Sequence, residues 1–281
     1  VDLSGRTVVI TGASAGIGAA AARRLHALGA RVVPVGRDTE RTAAVAAEVG
    51  AGSGAFFVAD FARLDDVRRL AADLGTLGPI DVLVNNAGGI WPDREITVDG
   101  NERTFQVNHL APYLLTRLLH DQLAATSGRV VTTSSAAHGA GRLDLDDLDR
   151  SSSWRSFPAY GTSKLANILF TRELALRWLD DGISATCLHP GVVASDFGRD
   201  SWFIGLGYRT PLKHLMRSAD SGADTLVWLA SSEPGPWVTG GYYSDRKPGG
   251  LSSQAQDYEL ARALWDASEA LVTQGGAALP G

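Results

Sequence analysis

Thr7-Val8-Val9-Ile10-Thr11-Gly12-Ala13-Ser14-Ala15-Gly16-Ile17-Gly18 is the stretch on which the fold turns. Thr7 to Ile10 is a short β-branched run bounded by turn residues, and so reads as a buried strand. The glycines follow at once, and Ala19 to Leu28 then reads as an alanine-rich helix stopped by Gly29. A strand, a glycine turn and a helix make the first half of a dinucleotide-binding unit. Gly12 permits the tight turn, Gly16 lets a pyrophosphate approach the backbone, and Gly18 lets the helix pack closely on the strand. The free amides of the helix N-terminus then face the phosphates. The spacing is G-x-x-x-G-x-G, not the commoner G-x-G-x-x-G. A structural turn is the plainer alternative, and the strand before and helix after are what favour a cofactor.

Downstream, apolar runs alternate with helical patterns. Arg31-Val32-Val33-Pro34-Val35 is a second strand, ending in Gly36-Arg37-Asp38. In such a fold this turn lies beside the adenosine ribose, where a carboxylate selects NAD and an arginine can pair with a 2′-phosphate. Arg37 therefore favours NADP(H), against the alternative of a solvated surface charge; Asp38 reads as an acidic residue at the next helix start. Ala55 to Asp60 reads as a third strand whose closing carboxylate could meet an adenine amino group, and Phe61 follows it. A helix around Leu64 to Leu74 precedes a fourth strand, Asp81 to Val84, which enters Asn85-Asn86-Ala87-Gly88. Small residues there suit a backbone lying against a cofactor, and the asparagines can satisfy exposed main-chain groups. A helix from about Asn101 to Leu119 carries Asn108 on an otherwise apolar face. A buried asparagine needs partners, either neighbouring backbone or a proton path. Arg129 to Thr133 is the fifth strand, leading to Ser134-Ser135; Ile183 to Leu188 is the sixth, ending in His189-Pro190-Gly191. Ligands bind at the carboxyl ends of strands in open α/β sheets, where all these polar residues fall. With no linker or repeat, residues 1–281 read as one α/β domain, a doubly wound parallel sheet of about seven strands.

Composition excludes several classes. A net charge of −5 with no basic cluster argues against a nucleic-acid or membrane-surface binder. A lone cysteine, Cys187, cannot form an intrachain disulfide, and no spacing suggests a metal site. No apolar run reaches the ~18 residues of a membrane span. The stretch Val1 to Gly5 does not resemble a secretion signal, so a cytoplasmic location is expected.

Tyr160-Gly161-Thr162-Ser163-Lys164 opens another apolar run. On a helix, Tyr160 and Lys164 stand one turn apart on the same face. A phenol with a pKa near ~10 is a poor proton carrier at neutral pH unless its surroundings adjust it, and a nearby cation would lower that value. Lysine is scarce, occurring only at 164, 213 and 247, which makes the one beside Tyr160 less easily incidental.

Taken in order, Thr11-Gly12-x-x-x-Gly16-x-Gly18, Asn85-Asn86-Ala87-Gly88, Asn108, Ser135, Tyr160-x-x-x-Lys164 and Pro190-Gly191 resemble the short-chain dehydrogenases/reductases, over about Ser4 to Tyr243. Ser134-Ser135-Ala136-Ala137-His138, the Tyr160–Asn167 segment and His189-Pro190-Gly191 look most like the retinol-dehydrogenase-like branch, which generally prefers NADP(H). The resemblance implies a single Rossmann-type domain and an oxidoreductase interconverting a carbonyl and an alcohol. Tyr160 would be the general acid or base and Ser135 would hold the substrate oxygen. Lys164 would bond the nicotinamide ribose and depress the tyrosine, and Asn108 would complete a relay. The cofactor contacts would come from Gly12, Ser14, Gly16, Ile17, Gly18, Arg37, Asp60, Phe61, Asn86, Ala87, Gly88, Tyr160, Lys164, Pro190, Val193 and Ser195. Serine at 195 stands where the family usually has threonine.

Between Ser135 and Tyr160 lie 24 residues, about twice the number in compact members of the family, and long loops at binding faces often carry specificity. A substrate loop is expected at about 195–215, where Trp202-Phe203 and its glycines suggest either a lid over an apolar substrate or a helix packed on the body. Trp91, His138, Trp154, Trp202 and Phe203 are the candidate substrate contacts, with loop packing the alternative for His138. The expectation is an NADPH-dependent enzyme for a moderately large apolar or aromatic substrate. A cofactor-binding sensor without turnover and an epimerase or dehydratase are the rivals. The helices starting at Asn101 and Tyr160 could pair across a homodimer or homotetramer, as in many members of the family the chain resembles, although members with such an insertion can be monomers.

Overall fold

A computed structural model describes residues 1–50, 56–192 and 217–274. Strand β1 (Thr7–Thr11) is completely buried and leads through the glycine turn into helix α1 (Gly16–Ala27). Then come β2 (Arg31–Gly36), α2 (Thr39–Glu48), β3 (Phe57–Val58), α3 (Leu64–Gly75) and β4 (Val82–Asn85). A composite helix follows: α4 (Arg103–Phe105), a π-helical turn (Gln106–Leu110) and α5 (Ala111–Leu118). The remainder is α6 (His120–Ala124), β5 (Arg129–Thr133), α7 (Ser156–Arg177), β6 (Ser184–His189), α8 (Ala219–Gly222), α9 (Asp224–Ser231), β7 (Tyr242–Ser244), β8 (Lys247–Pro248) and α10 (Tyr258–Thr273).

The sheet order is β3-β2-β1-β4-β5-β6-β7-β8. Pairing is parallel from β3 through β7, and only the two-residue β8 runs antiparallel, Tyr243 opposite Pro248. The seven expected strands are therefore present, with β8 an added edge that ends in proline and cannot extend the ladder there. Alternation along each strand divides the core. Val9, Leu83 and Val130 face α3, α5, α7 and α10, whereas Val8, Ile10, Val82 and Val84 face α1 and α9. Order reverses between β1 and β4, which opens a crevice at the carboxyl ends of those strands.

Two glycines have no substitute at that crevice. Gly12 takes φ +65°, and a Cβ on it would lie 2.8 Å from Ala87 Cα. A Cβ on Gly18 would lie 2.3 Å from the Gly12 carbonyl oxygen, so the helix could not pack as it does.

Three elements differ from expectation. The helix expected from Asn101 begins at Arg103, where Glu102 accepts from Phe105 N at 2.8 Å, and it widens into a π turn around Asn108. Pro112 explains the widening: an α-helical Asn108 carbonyl would need the N–H of residue 112, and proline has none. The helix carrying Tyr160 starts one turn earlier, at Ser156, because Pro158 is tolerated within a first turn. Finally, the apolar faces of α5 and α7, which could have paired with a second copy, carry the chain's own α10. Trp265 packs edge-on to Tyr113 at 5.0 Å and stacked on Phe170 at 5.9 Å, and Arg117 pairs with Glu269 at 2.7 Å beside it. A homodimer or homotetramer through that face would have to displace this helix.

Candidate active site

The crevice holds two adjoining cavities. The first, about 460 Å³, is lined by Gly12, Ser14, Gly16, Ile17, Gly18, Asn86, Ala87, Gly88, Ser135, Tyr160, Lys164, Pro190 and further residues. The second, about 680 Å³, is bounded by Arg37, Asp60, Phe61, Gly88 and Trp91 among others. Segments as far apart in sequence as Gly12 and Pro190, 178 residues, thus meet where the strands end.

The floor of the crevice is tied together by Asn86. Its Nδ2 donates to the Thr11 carbonyl at 3.1 Å, its backbone N–H donates to Thr11 Oγ1 at 3.0 Å, and its Oδ1 accepts from Thr133 Oγ1 at 3.3 Å. Asn86 thus serves main-chain groups as expected of the asparagines, whereas Asn85 donates instead to Thr116 Oγ1 at 2.8 Å. The N-terminus of α1 has no capping side chain, since Ala15 occupies the cap, and no acid lies in its first turn. Its orphan amides open on the first cavity, between Gly16 and Gly18.

Asn108 joins that loop to α7. Its Oδ1 accepts from Gly89 N at 2.8 Å, and its Nδ2 donates to Gly89 O and to Ser163 Oγ, both at 2.9 Å. Ser163 Oγ donates in turn to the Tyr160 carbonyl at 2.8 Å. The side chain of Asn108 is engaged by protein on both its oxygen and its nitrogen, so of the two alternatives the bonds to neighbouring backbone are the ones the structure contains.

Tyr160 is half-buried at the cavity wall, and Lys164 beneath it is 2% exposed. Lys164 Nζ donates to the Thr133 carbonyl at 3.0 Å and stands 5.6 Å from the centre of the Tyr160 ring. Burial pulls the ammonium from the ordinary 10.5 down to about 8. Burial also pushes the phenol from 10 up to about 12, against a smaller lowering by the Ser135 hydrogen bond. The net shift is upward, with burial the larger cause and the Ser135 hydrogen bond the opposing one, so the expected lowering by Lys164 is not seen in it. Ser135 Oγ accepts from Ala137 N at 3.1 Å, and the same side chain is hydrogen-bonded to the Tyr160 phenol at the cavity wall.

The candidate substrate contacts separate. Trp91 lines the second cavity with Arg37 and Asp60, not the one holding Tyr160, and its ring lies under the Arg103 guanidinium at 4.8 Å. His138 is buried away from both cavities, edge-on to Tyr242 at 5.1 Å, so loop packing describes its place. Trp154 lines neither cavity. Val193, Ser195, Trp202 and Phe203, with the expected loop at about 195–215, lie outside the described residues. Residues not anticipated include Thr133, His189, Val192 and Arg103. His189 stands in the first cavity with its Nδ1 unpartnered, and its place directly before Pro190-Gly191 was the available signal. Among the described residues no cluster of three or more His, Cys, Asp or Glu could hold a metal, and no helix is long and apolar enough to cross a membrane.

A family model described as short chain dehydrogenase matches residues 6–202. The chain belongs to that family. Within it, the chain falls in the retinol-dehydrogenase-like branch. DnrU of Streptomyces sp. (strain C5), provisionally named a daunorubicin C-13 ketoreductase, is 48% identical over 96% of this chain and 93% of its own length. Retinol dehydrogenase 12 of Mus musculus is 38% identical over 95% of this chain and 86% of its own. Among solved structures, an uncharacterised Mycobacterium paratuberculosis protein superposes with a TM-score of 0.79 at 35% identity, covering 100% of this chain and 97% of that one. A Burkholderia cenocepacia short-chain dehydrogenase in complex with NADP does so with a TM-score of 0.65 at 28% identity, covering 83% and 93%. This short-chain dehydrogenase is therefore an oxidoreductase of the NAD(P)(H)-using kind.

Proposed function

We propose that this enzyme is an NADPH-dependent reductase of ketones or aldehydes on moderately large apolar or aromatic substrates, also able to run as the alcohol dehydrogenase. The observation that carries the reading is the convergence of Ser135, Tyr160 and Lys164 on one cavity that also receives the uncapped N-terminus of α1. The residues present fit a dinucleotide. Orphan amides and Gly12 would hold the pyrophosphate, and Asp60 and Phe61 would border the adenine. Ser14 and Arg37 would face the ribose, with Tyr160, Lys164 and Pro190 near the nicotinamide. When bound, the cofactor supplies the hydride.

The protein's own contribution is the proton and its control. A phenol at about 12 is fully protonated at neutral pH, so Tyr160 is loaded as the acid that protonates the carbonyl oxygen. Ser135, whose hydroxyl proton is not needed within its own turn, donates to that same oxygen and stabilises the charge that develops there. Lys164 holds a positive charge below Tyr160 in a dry site, where its effect on a forming phenolate is strong. Asn108 fixes the loop and helix that carry these groups relative to one another.

Preference for NADPH rests on Arg37 in the second cavity and on Gly36. A Cβ at position 36 would lie 2.2 Å from Thr42 Oγ1, so the carboxylate that would select NAD has no room there. NADP in the Burkholderia relative accords with this. Daunorubicin and retinol, in the names of the two relatives, support a carbonyl or alcohol substrate of moderate size. The test is NADPH oxidation with a panel of aromatic and polycyclic ketones, comparing wild type with Tyr160→Phe. Turnover of a good substrate should fall by about 10²- to 10⁴-fold in the variant. A variant working at the wild-type rate would sink the mechanism, and equal efficiency with NADH would remove the role of Arg37.

A further inference from the structure

One motif near the site has no part in the chemistry above: His138, three residues after Ser135. Its imidazole is 4% exposed, and both ring nitrogens meet backbone. Nδ1 donates to the Ser135 carbonyl at 2.8 Å, beside the main-chain bond from His138 N to that same oxygen at 3.1 Å. Nε2 accepts from Ser252 N–H at 3.3 Å. An N–H facing Nε2 requires a lone pair there, so the proton sits on Nδ1 and the ring is neutral in one tautomer. Tyr242 of β7 packs against the ring's flank and leaves it little freedom to turn.

The same C-terminal segment takes hold of the loop a second time. Gln254 Oε1 accepts from Leu143 N at 3.1 Å, and its Nε2 donates to Leu143 O at 3.0 Å. Residues 252 and 254 therefore clasp the Ser135 loop both at its root and farther along. Only the contact at the root reaches the residue that faces the cavity.

We propose that His138 is a positioning residue for Ser135, setting the backbone from which that hydroxyl is aimed at the substrate oxygen and transmitting to it the fixed position of the segment after β8. The inference rests on the reading of Ser135 as the substrate-oxygen donor. Its physical basis is the steep cost of misplacing a donor: a shift of about 1 Å can lower a rate by about 10²-fold.

Four variants and one spectrum test it. His138→Phe keeps the ring against Tyr242 and loses both bonds; kcat should fall by about tenfold or more with NADPH affinity unchanged. His138→Asn places an amide N–H where Nδ1–H stood and should recover most of kcat. His138→Gln reaches only toward Ser252 and should behave like Phe. Gln254→Ala cuts the second clasp and should lower the melting temperature while leaving kcat alone. A purely structural role would track melting temperature instead, with Asn and Gln alike and kcat per cofactor-binding site constant. That pattern, or wild-type kcat in His138→Phe, overturns the proposal. The imidazole ¹⁵N spectrum of the wild type needs no turnover: Nδ1–H supports the brace, and an Nε2–H tautomer or imidazolium refutes it. If the wild type reduced no ketone, the functional reading would fail while the spectrum still decided the brace.

Discussion

Replacing Lys164 by methionine should make the protein more stable and inactive at once. The ammonium is 2% exposed, with Thr133 O its hydrogen-bond partner at 3.0 Å. Burial draws it from 10.5 to about 8. At about 1.4 kcal/mol for each tenfold change in an ionisation constant, holding it charged costs the folded state about 3 kcal/mol at neutral pH. The lost hydrogen bond returns about 1 kcal/mol, and Thr133 O keeps a second donor, Asn167 Nδ2 at 3.3 Å, so no acceptor is stranded. The expected net gain is about 2 kcal/mol, or about 5 °C in melting temperature for a chain of this size. The pH dependence carries the sign. Below pH 8 both folded and unfolded states hold the proton, and the penalty is constant. Between about 8 and 10.5 the unfolded state binds more protons, so wild-type stability rises with pH and the advantage of Lys164→Met shrinks toward zero. Urea titrations of both proteins at pH 7 and pH 9.5 measure this, alongside NADPH-linked turnover. A variant no more stable than wild type at pH 7, or a gain that does not shrink at pH 9.5, would refute the reasoning.

Arg37→Glu should raise the KM for NADPH by about 10- to 150-fold, the value of a charge-assisted hydrogen bond to a phosphate, and leave that for NADH near its wild-type level; steady-state kinetics with both cofactors check it. Gly18→Ala forces a Cβ to within 2.3 Å of the Gly12 carbonyl, so cofactor affinity by fluorescence titration should be lost together with about 1–3 kcal/mol of stability. Trp265→Ala removes a 3%-exposed side chain wedged against Tyr113 and Phe170 and should cost about 3–5 kcal/mol, seen as a lower urea midpoint.

What could be read before any coordinates was local or periodic. A β-branched run followed by glycines declares a strand and its turn, because both strand faces are buried and the next chain segment comes too close for a side chain. Tyr160 and Lys164 were readable because four residues make one helical turn. The π turn was not read, although Pro112 stands four residues after Asn108, since a single widened turn barely disturbs an apolar pattern. The destination of the run from Tyr258 was hidden for another reason. Its amphipathic spacing shows that one face is buried, but the partners, Tyr113 and Phe170, lie on helices whose apolar faces would suit a second copy equally well. The sign of the Tyr160 shift was missed because spacing reveals a neighbouring charge and says nothing about how much water has been removed.

The place of α10 has a consequence during synthesis. It covers α5, which ends at residue 118, yet its own last turn is residue 273, so 155 further residues must be made before the cover exists. At a ribosomal rate of about 5–20 residues per second, the greasy side of α5 waits roughly ten to thirty seconds. During that interval the nascent chain presents a surface that chaperones recognise and that other nascent chains can stick to. Slowing translation late in the message should therefore lower the soluble yield more than slowing it early.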